Sequence, residues 1–205
     1  MSGLKTHCLY ALEPHKLGFC GPLNNKTASC LIRSYLEGKE VNLVSLRKTI
    51  RQFTAACHYY GLIAQKNYKK NLLSKEVVEA YWIGNDLLKK ASFKAHHSWH
   101  VLKIGSLTGR VNLKGPLLDL CRVSWGRVKK IDKQLTVQYQ PLNKKKNKYI
   151  LGRLKIKKIN FNKKFLRKIK IGDTISIHWN QAIEVLSQKQ IDNLKRYTQK
   201  TLNNI

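Results

Sequence analysis

The chain has 205 residues, of which 40 are Lys or Arg and 11 are Asp or Glu, for a formal net charge of +29. A hydrophobic content of 42% is enough for a packed core and excludes global disorder. No apolar run approaches the ~20 residues that span a bilayer, so no membrane partner is expected.

The start, Met1-Ser2-Gly3-Leu4-Lys5, leads into His7, Glu13 and His15 rather than into an uninterrupted apolar stretch. A signal peptide is therefore not expected, and a cytoplasmic location is the default. The five cysteines, Cys8, Cys20, Cys30, Cys57 and Cys121, are scattered and form no CxxC pair. Neither a disulfide framework nor a closed zinc site follows from that spacing. The cationic excess favours polyanions, nucleic acid first among them. The abundance of Lys with Asn and Ile, spread along the chain, equally suits an AT-rich genome.

Taken in chain order, residues 1–24 read as irregular, with turn-forming clusters at Glu13-Pro14-His15 and Gly18 to Pro22. A helix is predicted from about Thr27 to Leu36, stopped by Gly38. Asn42 caps a second, whose apolar stripe runs through Leu43, Leu46, Ile50, Phe53, Cys57 and Tyr60. Ser74 caps a third, with Val77, Val78, Tyr81, Trp82 and Leu88 on its apolar face. The aromatic piece from Phe93 to Leu102, followed by Gly105 and Gly109, is open between helix and strand.

Beyond Cys121 the period becomes two. Leu135, Val137 and Tyr139 alternate with polar residues, as do Leu154 to Ile159 and Ile175, Ile177 and Trp179. Asn143 to Lys148 is a lysine-rich hairpin tip, and Ser187 with Gln190 makes a capping box opening a last helix. The fold class expected is α+β: a mostly helical domain over 1–118, then a small OB-like β-barrel with a C-terminal helix over 119–205.

Several residues invite chemistry. His96 and His100 would share a helical face at i and i+4, with His97 between them, and a third ligand could come from Cys20, His58 or His178. Packing of a histidine-rich turn explains the same letters. Cys20-Gly21-Pro22 either presents a reactive thiol on a tight turn or buries a small residue beside it. Lys144, Lys145 and Lys146, with Lys163, Lys164, Arg167 and Lys168, either track phosphates or are solvated loop cations. Single-strand binding would need exposed stacking residues among them, with Tyr139, Tyr149 and Phe161 as the barrel's candidates. No catalytic triad, paired-carboxylate site, P-loop or dinucleotide fingerprint stands out, so an independent enzyme is the least supported reading.

Two separated stretches carry a resemblance. Cys121-Arg122-Val123-Ser124-Trp125-Gly126-Arg127-Val128 and Gly172-Asp173-Thr174-Ile175-Ser176-Ile177-His178-Trp179-Asn180-Gln181-Ala182-Ile183-Glu184 are similar, in order, to the opening and the histidine strand of the HypC/HupF [NiFe]-hydrogenase assembly chaperones. The whole chain also resembles an uncharacterised bacterial family of hydrogenase-associated proteins, through Gly18 to Pro22 and Glu79 to Asn85. The first resemblance implies an accessory or chaperone role in metalloenzyme maturation, with a protein client or assembly partner. It implies that Cys121 and His178 bind that partner or a transient iron carrying cyanide and carbon monoxide. Arg122 and Arg127, flanking the thiol, would then favour its charged form. The chaperone cysteine opens its chain, whereas Cys121 follows 120 residues. The alternative is a basic nucleic-acid-binding protein using the lysine-rich barrel loops.

Overall fold

The computed structural model describes residues 1–23, 26–105, 113–146 and 148–205. Gly109 and Asn147 of the expected hairpin tip lie outside them. The N-terminal part is helical: α1 Gly3–Lys16, α2 Lys26–Leu36, α3 Leu43–Arg51, α4 Thr54–Lys66, α5 Lys75–Trp82 and α6 Leu87–Ala91. No described helix is long and apolar enough to cross a membrane.

Of the stretch expected to be irregular, Gly3–Lys16 forms a helix, α1, while residues 17–23 are turns and bends as expected. Ser2 caps α1 by accepting from the Lys5 N–H, and the helix carries Pro14 in its last turn. Nearly all of its residues from Gly3 to Ala11 are buried, polar ones included. A helix enclosed on all sides shows no amphipathic period. The long second helix is in fact two, α3 and α4, broken at Gln52-Phe53, while Asn42 does cap α3 by accepting from the Ser45 N–H at 2.9 Å.

The third helix stops at Trp82 because Gly84 follows with φ +93°, and a Cβ there would run into the Tyr197 ring. From Phe93 to Ile104 the chain is neither a single helix nor a strand. It makes a 3-10 turn (Phe93–Ala95), one α-turn, α7 (His97–Trp99), and a π-turn (His100–Ile104). Then α8 (Pro116–Cys121), with Pro116 at its first position, leads into the sheet.

The alternating stretches form strands where expected. β1 (Ser124–Ile131), β2 (Leu135–Tyr139), β5 (Lys155–Ile159), β6 (Thr174–His178) and β7 (Gln181–Val185) make one antiparallel sheet in the order β5-β2-β1-β6-β7. β3 (Leu142–Lys145) and β4 (Lys148–Leu151) form a separate hairpin. The outer strands meet through one bridge, Asn160 with Gln181, where Asn160 N–H donates to Asn180 O and Ala182 N–H to Asn160 O. The expected α+β class holds, and the small OB-like barrel takes the form of a five-stranded antiparallel sheet whose outer strands are joined by that bridge, with no closed barrel among the described residues. The capping box opens α9 (Gln188–Leu202).

Two apolar clusters matter for the site. One is aliphatic and lies within the sheet: Val128, Leu135, Val137, Ile159, Leu166, Ile175, Ile177 and Ala182. The other runs continuously from the helices into Val123, Trp125, Ile183, Leu186 and Leu194, so the two expected domains share a core.

Candidate metal centre

β6 ends at His178, and the two residues of its turn into β7, Trp179 and Asn180, both have positive φ (48° and 63°). Such a turn matches strand twist, but it is a costly conformation for a tryptophan. Two contacts hold Trp179 in place: its N–H donates to Leu120 O at 2.8 Å, and its ring stacks on Phe19 at 4.1 Å. The backbone bond ties the end of β6 to the end of α8, bringing His178 beside Cys121.

His97 completes the group. The ligand atoms of His97, Cys121 and His178 all lie within 4.8 Å of one another. The rings of His97 and His178 are 5.3 Å apart and nearly perpendicular, and both pack on Trp82, at 4.5 and 5.4 Å. The three residues border a cavity of about 130 Å³ between the helices and the sheet, shared with His7, Cys20, Phe53, Tyr81, His100 and Trp179.

Hydrogen bonds fix how the imidazoles present themselves. His178 Nδ1–H donates to Tyr10 O at 2.8 Å, which leaves Nε2 as the lone-pair nitrogen, buried and without a partner. Metal-ligating histidines show this arrangement, one ring nitrogen tied to a carbonyl and the other free. His97 Nε2–H donates to Cys121 O at 2.9 Å, so its Nδ1 accepts from the Tyr81 hydroxyl at 2.9 Å. Tyr81 in turn accepts from His100 Nδ1–H at 2.8 Å. A hydroxyl can reverse its direction, so Tyr81 accommodates either tautomer of His97.

Burial sets the charge of each group. It lowers His178 and His100 to about 4, and takes His97 well below the ordinary histidine value, with the His178 and His100 charges adding to the effect. All three are neutral imidazoles at neutral pH, the form that binds metals. Burial pushes the Cys121 thiol up to about 12, with the Trp179 indole N–H partly opposing it. That indole has no other partner. A cation is what would convert the thiol to thiolate.

The expected help from arginine is absent. Arg127 is exposed on β1, and Arg122 is turned away to Asp119, donating to it at 2.9 Å and to Gln140 O at 2.6 Å. The donor set nonetheless fits a soft transition metal such as iron: one sulfur, one free imidazole nitrogen, and a second imidazole that can exchange a carbonyl for a ligand.

The other expected residues divide. His100 and Cys20 line the same cavity, Cys20 being placed there by Gly21, whose φ of +79° and approach to the Phe53 ring leave no room for a Cβ. The pairing of His96 with His100 fails, because His96 has extended backbone and caps α7 from outside by accepting from Ser98 N–H. It stacks on Tyr197, away from the cavity lining.

Lys144, Lys145, Lys146, Lys163, Lys164, Arg167 and Lys168 are exposed, on the β3–β4 hairpin and the loop after β5. None of the three candidate stacking residues is exposed. Tyr139 and Phe161 pack against the sheet cluster, and Tyr149 packs against Val101, Leu118 and Leu202 or their neighbours. His7, Tyr10 and Tyr81 were not singled out as site residues, though Ser2 as a helix cap was a usable signal for the helix carrying the first two.

The model of a family of unknown function, DUF6390, matches residues 1–95 and 89–205, and the chain belongs to that family. No curated protein and no solved structure gave a significant match.

Proposed function

We propose that this DUF6390 member is an accessory protein of metalloenzyme maturation that holds a soft divalent metal through Cys121 and His178, with His97 as third ligand, and serves a protein client. The observation that carries this reading is the convergence of the three donor atoms within 4.8 Å at a cavity wall, from three separate stretches of chain. The likeness of the Cys121 and His178 segments to the [NiFe]-hydrogenase assembly chaperones supports iron as the metal and the hydrogenase type of client. It supports that choice because thiolate and imidazole suit low-spin iron with π-accepting diatomic ligands. Metal bound here would supply an exchangeable, electron-poor centre. The chain itself contributes neutral imidazoles, a shielding wall of Trp82, Trp179 and Phe53, and a thiol that ionises when a cation arrives. Tyr139, Tyr149 and Phe161 are half-buried in packing contacts, which supports the metal reading over the nucleic-acid one.

Anaerobic purification with elemental analysis and infrared spectroscopy in the cyanide and carbonyl region tests the proposal. The expected result is one metal per chain in the wild type. In Cys121→Ala and His178→Ala, affinity should fall by more than the roughly 10–100-fold that an outer-shell partner is worth. Retention of the metal by both variants would sink the site, and a metal-free protein carrying nucleic acid would favour the second reading.

A further inference from the structure

The β3–β4 hairpin and the last helix leave a groove between them. α8 packs on β3 and α9 on β4, so the outer edge of β4 faces α9. The register of the hairpin tells which backbone groups lie on that edge. Gly152 N–H donates to Pro141 O at 2.8 Å, and bonded pairs alternate with non-bonded ones along an antiparallel ladder. Asn143 with Ile150 and Lys145 with Lys148 are therefore bonded pairs, and the N–H and C=O groups of Tyr149 and Leu151 point away from β3. Among the described residues no strand, turn or side chain bonds to them.

The groove holds about 760 Å³. One wall is a single face of α9, with Asp192, Lys195, Arg196 and Gln199 at spacings of three and four. The other is β4, through Ile150 and Leu151, and the Trp125 ring lies between the walls. From Asp192 to Gln199 the helix wall is about 10 Å long at 1.5 Å per residue, the length of three strand residues at about 3.3 Å each. A free strand edge, an apolar floor and a helix wall of matching length together accept an extended peptide as an added strand.

Charge selects the peptide. Asp192 is engaged by Gln188 Nε2–H at 2.9 Å, whereas Lys195 and Arg196 form no ion pair among the described residues. Lys148 opens β4 beside them. A chain of net charge +29 repels a second copy of itself, so a lysine-rimmed edge is closed to self-association and open to carboxylates. A nucleic acid has no row of N–H and C=O groups to pair with the strand. We propose that the groove between β4 and α9 docks a short, extended acidic segment of a protein partner as the third strand of the hairpin, with carboxylates on Lys195 and Arg196 and an apolar side chain on Trp125. This goes beyond the metal reading and stands without it, since none of the three donor residues lines the groove.

The test is fluorescence anisotropy of the full, metal-free chain with a fluorescein-labelled hexapeptide of alternating Glu and Val, followed by hydrogen exchange of the complex. Lys195→Glu/Arg196→Glu, at exposed positions, should weaken binding about tenfold or more. Lys163→Glu/Lys164→Glu makes the same change of charge on the loop after β5 and should have a much smaller effect. Methylating one alternate set of the peptide's amide nitrogens should cost about tenfold, and the other set little. The peptide should slow exchange at the Tyr149 and Leu151 amides and leave the Ile150 amide, already bonded to β3, as it was. No binding, equal losses in the two charge variants, or indifference to methylation would overturn the proposal, the last two in favour of bulk charge attraction. Binding of a single-stranded oligonucleotide that is lost in Lys195→Glu/Arg196→Glu, with no peptide binding, would overturn it in favour of nucleic acid.

Discussion

The two apolar clusters of this protein are built from different materials. The sheet cluster is aliphatic, with Val128, Leu135, Val137, Ile159 and Ile175 all fully buried and no titratable side chain among its buried members. The larger cluster interleaves Tyr10, Tyr60, Tyr81 and Trp82 with the buried rings of His7, His97 and His178. An aliphatic core only has to be filled, and packing settles its energetics. A core of hydroxyls and imidazoles must pair every polar atom, and each unpaired one that remains points to something missing. His178 Nε2 and His7 Nε2 are such atoms. The sheet is therefore a filled platform, and the aromatic layer is where the proposed metal site lies.

The largest effect expected of a single substitution comes from the seam between the two. Asp119, on α8 two residues before Cys121, accepts from Arg122 Nε at 2.9 Å, from Leu142 N–H at 2.9 Å and from the Tyr139 hydroxyl at 3.4 Å. The Arg122 side chain is completely enclosed. Asp119→Ala strands a buried guanidinium, a change that costs about 3–5 kcal/mol. Chemical denaturation should show that loss, together with weaker metal binding as α8 loosens under Cys121. A loss below about 1 kcal/mol would mean that the sheet and the helical layer do not depend on this junction.

Acid should separate the two clusters. Burial lowers His7 and His96 to about 3 and His100 and His178 to about 4, from 6.5. As pH falls below 6.5, the unfolded chain takes up protons that the folded chain refuses. Stability is then lost at about 1.4 kcal/mol per pH unit for each such histidine, down to its folded value. Glu184 works in the opposite sense: burial pushes it up to about 7, so folding favours its protonated form between 4.5 and 7. Five depressed histidines, His97 among them, outweigh the raised carboxyls of Glu184 and Glu79, and denaturation midpoints should drop steeply from pH 6.5 to 4.5. A flat profile would show that these rings are hydrated rather than enclosed.

What could be read from the sequence follows the same division. The strands were legible because Leu135, Val137 and Tyr139, or Ile175 and Ile177, alternate across a surface with one buried face. Cys121 and His178 were singled out through their segments' resemblance, and the fold brings the two side chains together. His97 was among the metal candidates, but its grouping with Cys121 and His178 was not legible, because the spacing rule that pairs His96 with His100 assumes a continuous helix. The chain instead changes from 3-10 to α to π turn within twelve residues, which turns His97 inward. α1 was missed for a related reason. Its buried Thr6, His7 and His15 look polar in a one-dimensional pattern, yet each is paired, Thr6 with Ser2 O and His15 with Cys20 O nearby in the chain and His7 with Tyr60 of α4.

The smallest expected effect is also the cleanest control. Ile159 closes β5, opposite Leu135 in the sheet register, and is completely buried. Ile159→Val removes one methylene without adding a polar atom, and such changes cost about 0.5–1.5 kcal/mol. Because the cluster's buried members are aliphatic, and burial raises the one tyrosine packed against them, Tyr139, above its ordinary value of 10, the cost should be the same at pH 7.5 and at pH 5. Metal affinity should be unchanged. Paired denaturation curves at the two pH values check the first expectation, and a cobalt titration checks the second. If the cost grew in acid, or the metal were lost, the aliphatic platform and the histidine layer would be one cooperative unit with a shared response. If both quantities hold, the sheet stabilises the molecule independently of the charge states above it. The depressed histidines can then be assigned to the aromatic layer and not to the fold as a whole.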